Sequence, residues 1–149
     1  MIRYLILVFV FGGAFLQICS AASLMETGHK CYLGEEYGES LQKYSAILTD
    51  PLLHKQHPEA MFMMGSCYLK LGNTEMGLKA LWQILNEFPN SEWTDNACYQ
   101  LASYKERQGG TRYGEALMLY EMIMAMHGNS EKLGSAMLGA ARIKQKLGF

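Results

Sequence analysis

The sequence predicts an all-α superhelix of about three and a half helical hairpins, and three observations carry that expectation. Four 13-residue windows resemble one another, Ser23 to Glu35, Ala60 to Gly72, Ala97 to Gly109 and Ala136 to Gly148, with starts 37, 37 and 39 residues apart. Each of the first three is followed by an amphipathic stretch with a small residue and, four later, a large one: Ser40 and Tyr44, Gly77 and Leu81, Ala116 and Tyr120. Residues four apart share a helical face, so each pair belongs to one packing stripe. Punctuation separates the stretches: Asp50-Pro51, Phe88-Pro89-Asn90-Ser91 and His127-Gly128-Asn129-Ser130 close the second helices, and Gly72-Asn73 and Gly109-Gly110 break the hairpins.

The first element is an address. Residues 1–22 hold one charge, Arg3, then an apolar run from Tyr4 to Phe15, then the small-residue end Cys19-Ser20-Ala21-Ala22. That order of parts is a secretory signal peptide, too short and too interrupted by Gly12 and Gly13 to span a bilayer. Cleavage after Ala21 or Ala22 leaves 23–149 as the folded domain. Cys19 admits a second route, acylation as a lipoprotein, although Ile18 stands where that route wants a small residue. Membrane contact is expected only if the chain is lipid-anchored or the leader is retained.

Seven helices follow, at about 24–35, 37–49, 58–71, 74–88, 94–108, 112–127 and 131–147. Thr74, Thr94 and Ser130 are placed to cap helix starts by accepting from free amides. A small residue recurs at one place in the windows, Gly28, Gly65, Ala102 and Ala141, where it lets a neighbouring helix approach closely.

These residues resemble the tetratricopeptide (TPR) repeat, whose pattern is W-x2-L-G-x2-Y, then A-x3-F, then P. The second repeat carries it as Met61, Met64, Gly65, Tyr68, Gly77, Leu81 and Pro89. The third keeps Leu101, Ala102, Ala116 and Tyr120 with two extra residues near Gly110-Thr111, and the first keeps Gly28, Ser40 and Tyr44. Glu131 to Leu147 resembles the capping half-repeat of such solenoids. The longer period, with its extra length between Pro89 and Trp93, is similar to that of envelope TPR proteins of Gram-negative bacteria. These include the periplasmic TPR partner of the Tol-Pal system and the TPR lipoprotein of the outer-membrane β-barrel assembly machine.

The resemblance implies that the first helix of each repeat lines a concave groove. By position, that face contains Met25, His29 and Tyr32, then Phe62, Ser66 and Leu69, then Tyr99, Ser103 and Glu106, with Arg142 near the end. Apolar anchors flanked by a few polar groups suit a peptide lying in a groove.

Other chemistry is thinly represented. The 149 residues suffice for one domain, and 50% hydrophobic content with 18% charged residues argues against a disordered chain. A net charge of -1 argues against a nucleic-acid partner. Cys31, Cys67 and Cys98 fall inside helical patterns and read as buried hydrophobes, with a Cys31 to Cys67 bridge as the alternative. Met118, Met122 and Met126 share a helical face and read as a packed seam; a Met-rich copper-handling protein is the rival. His54 and His57 read as a solvated pair, not a zinc site, and Glu35-Glu36 as a helix-end charge pair. No Gly-x-Ser-x-Gly, His-Glu-x-x-His or phosphate-cradling loop is present, so no enzyme, catalytic residue, metal or cofactor is expected.

The resulting expectation is a non-enzymatic scaffold of the bacterial cell envelope, exported to the periplasm, binding a protein or peptide through its concave face. A permanent structural subunit of an envelope complex, possibly lipid-anchored, is the alternative. The sequence sets neither the partner nor the oligomeric state.

Overall fold

The computed structural model describes residues 23–126 and 130–149, and every described regular element is helical. The signal-peptide expectation lies outside the described residues, as does the His127 to Asn129 stop. In chain order the elements are α1 (23–33), α2 Tyr37–Leu48, a 3-10 turn Pro51–Gln56, α3 His57–Lys70, α4 Thr74–Glu87, α5 Glu92–Gln108, a 3-10 turn Gly110–Arg112, α6 Tyr113–Met126 and α7 Leu133–Leu147. The fold is the expected all-α repeat superhelix: hairpins α1/α2, α3/α4 and α5/α6, then α7.

Each 13-residue window proves to be a helix together with its stop. The last residue of all four, Glu35, Gly72, Gly109 and Gly148, takes a positive φ, between 63° and 83°. In the first hairpin the Glu35 and Glu36 amides donate back to the Tyr32 and Cys31 carbonyls. The Gly72 and Asn73 amides do the same to Leu69 and Tyr68. Those paired bonds satisfy the free carbonyls of a helix end and require a left-handed residue, which glycine supplies without strain. Among the described residues, Glu35 is the one place where a side chain bears that conformation.

Helix starts differ from expectation by a residue or two, and hydrogen bonds explain why. Asn73, not Thr74, caps α4 by accepting from the Met76 amide at 3.3 Å. Ser91, in an extended conformation, caps α5 through the Trp93 amide at 3.2 Å. Thr94 is buried inside α5, where its hydroxyl donates to the Phe88 carbonyl at 2.6 Å and ties the helix to the preceding turn. Ser130 accepts from the Lys132 amide, but α7 begins only at Leu133.

The small and large residues interlock as the stripes require. Tyr44 lies over Gly28, Leu81 over Gly65, and Gly77 receives Leu69. Ala102 is buried in the same way, whereas Ala141 is exposed. The reason is positional: in the first three repeats a second helix covers this residue, and no described helix covers it on α7. The inner stripe of α7, Ala136, Gly139, Ala140 and Ile143, packs instead on the preceding hairpin.

The methionine seam is corrected. Ala116, Leu119, Tyr120 and Ile123 form the buried stripe of α6, and Met118 is 53% exposed while Met122 packs at the edge of the core. The 116/120/123 spacing faces α5 and α7, which turns residue 118 outward.

Successive helices pack on one another, and in addition α3 touches α5 and α5 touches α7. The second helices α2, α4 and α6 meet one another at most marginally. Closer approach on one side curves the stack toward that side, so α1, α3, α5 and α7 line the inner face.

Candidate partner-binding face

The ten residues expected on the inner face divide by burial. Met25 is 8% exposed in a core with Tyr44, Ile47, Leu53 and Ala60, and Ser66 is 5% exposed. Leu69 presses into the space left by Gly77. These three are packing residues: Met25 and Ser66 are buried, and Leu69 lies against α4. His29, Tyr32, Phe62, Tyr99, Ser103 and Glu106 are partly exposed, and Arg142 is exposed.

The exposed members are knitted together across repeats. Phe62 of α3 stacks on Trp93 of α5 with ring centroids 5.2 Å apart, and Tyr99 lies 5.9 Å from Tyr120. On α5, Glu106 accepts from the Tyr120 hydroxyl at 2.9 Å and receives both Nε and Nη2 of Arg142 at 3.0 Å. Ser103 shares a 3.3 Å hydrogen bond with Tyr120, and Lys146 stands 3.8 Å from Glu106. A fork of two charge-assisted bonds thus fastens α7 to α5. Arg142 holds the Glu106 carboxyl below the usual carboxylate range, against the opposing effect of burial and with help from Tyr120. Burial pushes the Tyr120 hydroxyl up.

The other end of the face is built differently. His29 stacks on Tyr44 at 5.9 Å, and its Nε2 is 3.5 Å from a Glu59 carboxylate oxygen, tying α1 to α3. Tyr44 is fully buried and its hydroxyl has no partner in ordinary hydrogen-bond geometry, while the Ser40 hydroxyl beside it donates to the Gly28 carbonyl at 2.9 Å and accepts from the Cys67 thiol at 3.4 Å. Burial raises the Tyr44 ionisation strongly, Ser40 pulls it partway back, and Cys67, Glu59 and Tyr32 raise it further.

Two members of the face were missed by the sequence reading. Leu138 holds the third place of the fourth window, as Met25, Phe62 and Tyr99 do in theirs, and it is 65% exposed. The repeat spacing alone would have found it. Glu59 has no equivalent acid in the other repeats, and nothing in the pattern singles it out.

Cys31, Cys67 and Cys98 are free and buried, which corrects the alternative of a Cys31 to Cys67 bridge. Cys67 donates weakly to Ser40 at 3.4 Å. Burial pushes the Cys67 thiol up and the Cys98 thiol up to about 12, away from the thiolate that a nucleophile needs. Thiol labelling at pH 8 is therefore expected to leave Cys67 and Cys98 unmodified in the folded protein and to reach both in denaturant; rapid labelling of either in buffer would contradict their burial. Cys31, Glu36 and Glu39 bring one thiol and two carboxylates within 4.8 Å at the first hairpin turn. Both carboxylates stand at the start of α2, where free amides favour negative charge in any case. His54 packs on Phe88 at 5.1 Å and His57 Nε2 lies 3.1 Å from the Asp50 carbonyl, so this pair fastens a turn.

Residues 59–91 match the family model of the tetratricopeptide repeat. The matched stretch is α3, α4 and the turn that follows, the repeat in which the sequence pattern is most complete. A search of the curated proteins found no match. Tetratricopeptide repeats generally mediate protein–protein interaction as non-enzymatic scaffolds, and the match speaks to the repeat and not to the compartment in which it works.

Proposed function

We propose that this chain is a non-enzymatic interaction scaffold of the bacterial cell envelope, exported by its first 22 residues, that binds a partner protein or peptide along the inner face. One observation supports this reading above the rest. The ladder of equivalent positions runs from buried Met25 through partly exposed Phe62 and Tyr99 to exposed Leu138, flanked by His29, Glu59, Ser103, Glu106 and Arg142. Apolar anchors between polar groups give a bound segment its energy and its register. Contacts from α1 to α3 and from α7 to α5 brace the face before binding, which lowers the ordering cost of association.

Phe62 and Tyr99 pack on Trp93 and Tyr120, so truncating them removes packing as well as surface. Leu138→Glu is the cleaner probe. Cross-linking in the native envelope, with the full chain, should capture a defined partner that the Leu138→Glu variant loses by about tenfold, or about 1.4 kcal/mol, at an unchanged melting temperature. Capture undiminished in that variant would move the contact to another surface, such as the outer recess between α2 and α4 floored by Met64 and Tyr68. Fractionation of the full chain, with mass analysis of its N-terminus, tests export separately.

A permanent structural subunit is the second reading. Met137 and Leu138 are 55% and 65% exposed on α7, beside exposed Ala141. Apolar groups gathered on one helix face favour a neighbour that covers them. Co-purification that survives high salt would favour this version over a transient adaptor.

A further inference from the structure

The inner face contains two tyrosine-centred polar stations, and they are not in the same state. Around Tyr120 every polar group has a partner: the hydroxyl is shared with Ser103 and donated to Glu106, and Glu106 in turn is held by the Arg142 guanidinium. Around Tyr44, the equivalent residue two repeats earlier, the hydroxyl has no partner in ordinary hydrogen-bond geometry. Ser103 is replaced there by His29 at the corresponding position, and the carboxylate comes from Glu59 on the next first helix.

Glu59 is weakly matched. Its carboxylate lies 3.5 Å from His29 Nε2, longer than either bond of the Arg142 fork, and the Glu59 side chain is 28% exposed. The His29 side chain beside it is 38% exposed. A partly exposed carboxylate beside the His29 ring, which itself packs on Tyr44, offers acceptors with spare capacity. A guanidinium or ammonium group complements it through charge-assisted hydrogen bonds and through the ring faces. The molecule itself shows what fills such a station, because at Tyr120 an arginine from the adjoining helix does so.

We propose that Glu59, His29 and Tyr44 form a subsite of the inner face that receives an arginine or lysine side chain of the bound partner. The cation sits against the Glu59 carboxylate beside the His29 ring, which packs in turn on buried Tyr44. The inference rests on the inner-face reading above and adds the charge of the segment that lies there. It also gives that segment a direction, with its basic group over the first two repeats and apolar groups toward Tyr99 and Leu138.

The test uses the full chain and three small probes: N-acetyl-arginine methylamide, its lysine counterpart, and the neutral isostere N-acetyl-citrulline methylamide. A single charged contact gives dissociation constants of about 10 mM, within reach of an NMR titration that follows the His29 ring. The arginine and lysine probes should shift His29 saturably and citrulline should not. Glu59→Gln should weaken the arginine probe about tenfold, whereas the exposed control Glu75→Gln leaves it unchanged. Equal shifts with citrulline, no saturation by about 50 mM, or undiminished binding in Glu59→Gln would overturn the subsite. The scaffold reading would survive that result, since it is judged by the Leu138→Glu cross-linking experiment; loss of the cross-linking effect with the arginine response intact would instead leave a basic-group site on a face with no groove partner.

Discussion

Gly139→Ala is expected to destabilise the protein by about 1–2 kcal/mol, while Gly134→Ala, five residues earlier in the same helix, stabilises it by about 0.5–1 kcal/mol. Alanine is the better helix former by about 1 kcal/mol, so propensity predicts a gain at both positions. Space decides otherwise. Three atoms of the Tyr120 ring would lie within 2.9 Å of a Cβ at residue 139, whereas nothing lies within 4 Å of one at residue 134. The ring has nowhere to go: Tyr120 is fully buried and its hydroxyl is held by Glu106 and Ser103. The added methyl must push α7 off the core, and overpacking of this kind costs about 1–3 kcal/mol, more than propensity returns. For a domain of this size the net loss lowers the melting temperature by roughly 3–8 °C. Paired thermal melts of the two variants check it, and a Gly139→Ala protein at least as stable as the parent would mean that α7 is not seated as described.

What the sequence made legible is what repeats. The hairpin order, the interlock of Gly28 with Tyr44 and of Gly65 with Leu81, and the stops at Gly72, Gly109 and Gly148 all follow from residue types recurring at fixed offsets. Departures arise where a residue's use depends on a neighbour in space. Thr94 looks like a cap from its position before an apolar stripe, but the Phe88 carbonyl claims its hydroxyl and Ser91 takes the role. Met118 shares helical spacing with Met122, yet the packed stripe runs through Ala116, Tyr120 and Ile123. A periodic pattern shows that a face exists without showing which face is covered. The candidate site was legible to the same degree. Offsets located its rows, and even Leu138 was within their reach. The Glu106 to Arg142 fork spans 36 residues, Met25 is buried by residues of the two helices that follow it, and the orphaned Tyr44 hydroxyl reflects the absence of a pairing, none of which a local pattern encodes.

That fork carries the second large effect. Glu106→Ala is expected to cost about 2 kcal/mol near neutral pH, because it leaves the Tyr120 hydroxyl with only the longer Ser103 contact and removes the acceptor of both Arg142 bonds, a carboxylate whose side chain is only 11% exposed. The loss should also depend on pH in one direction. The folded protein holds the Glu106 carboxyl below its ordinary value, so the unfolded chain binds the proton more readily. A depressed carboxyl contributes stability above its unfolded value of about 4.3, and the contribution fades as pH falls through the lower folded value. The gap in melting temperature between the parent and Glu106→Gln, which keeps the shape and loses the charge, should therefore be constant from pH 8 to about pH 5.5 and shrink below about pH 4.5. Arg142→Met removes the first cause of the shift, and combined with Glu106→Gln it should give a total loss smaller than the sum of the two single losses, since each already breaks the same fork. Strict additivity of the two would mean that the bonds across the inner face do not couple. The last helix would then be held by the apolar seat of Gly139 and Ile143 alone, and the groove would be rigid at that end for reasons of packing and not of charge.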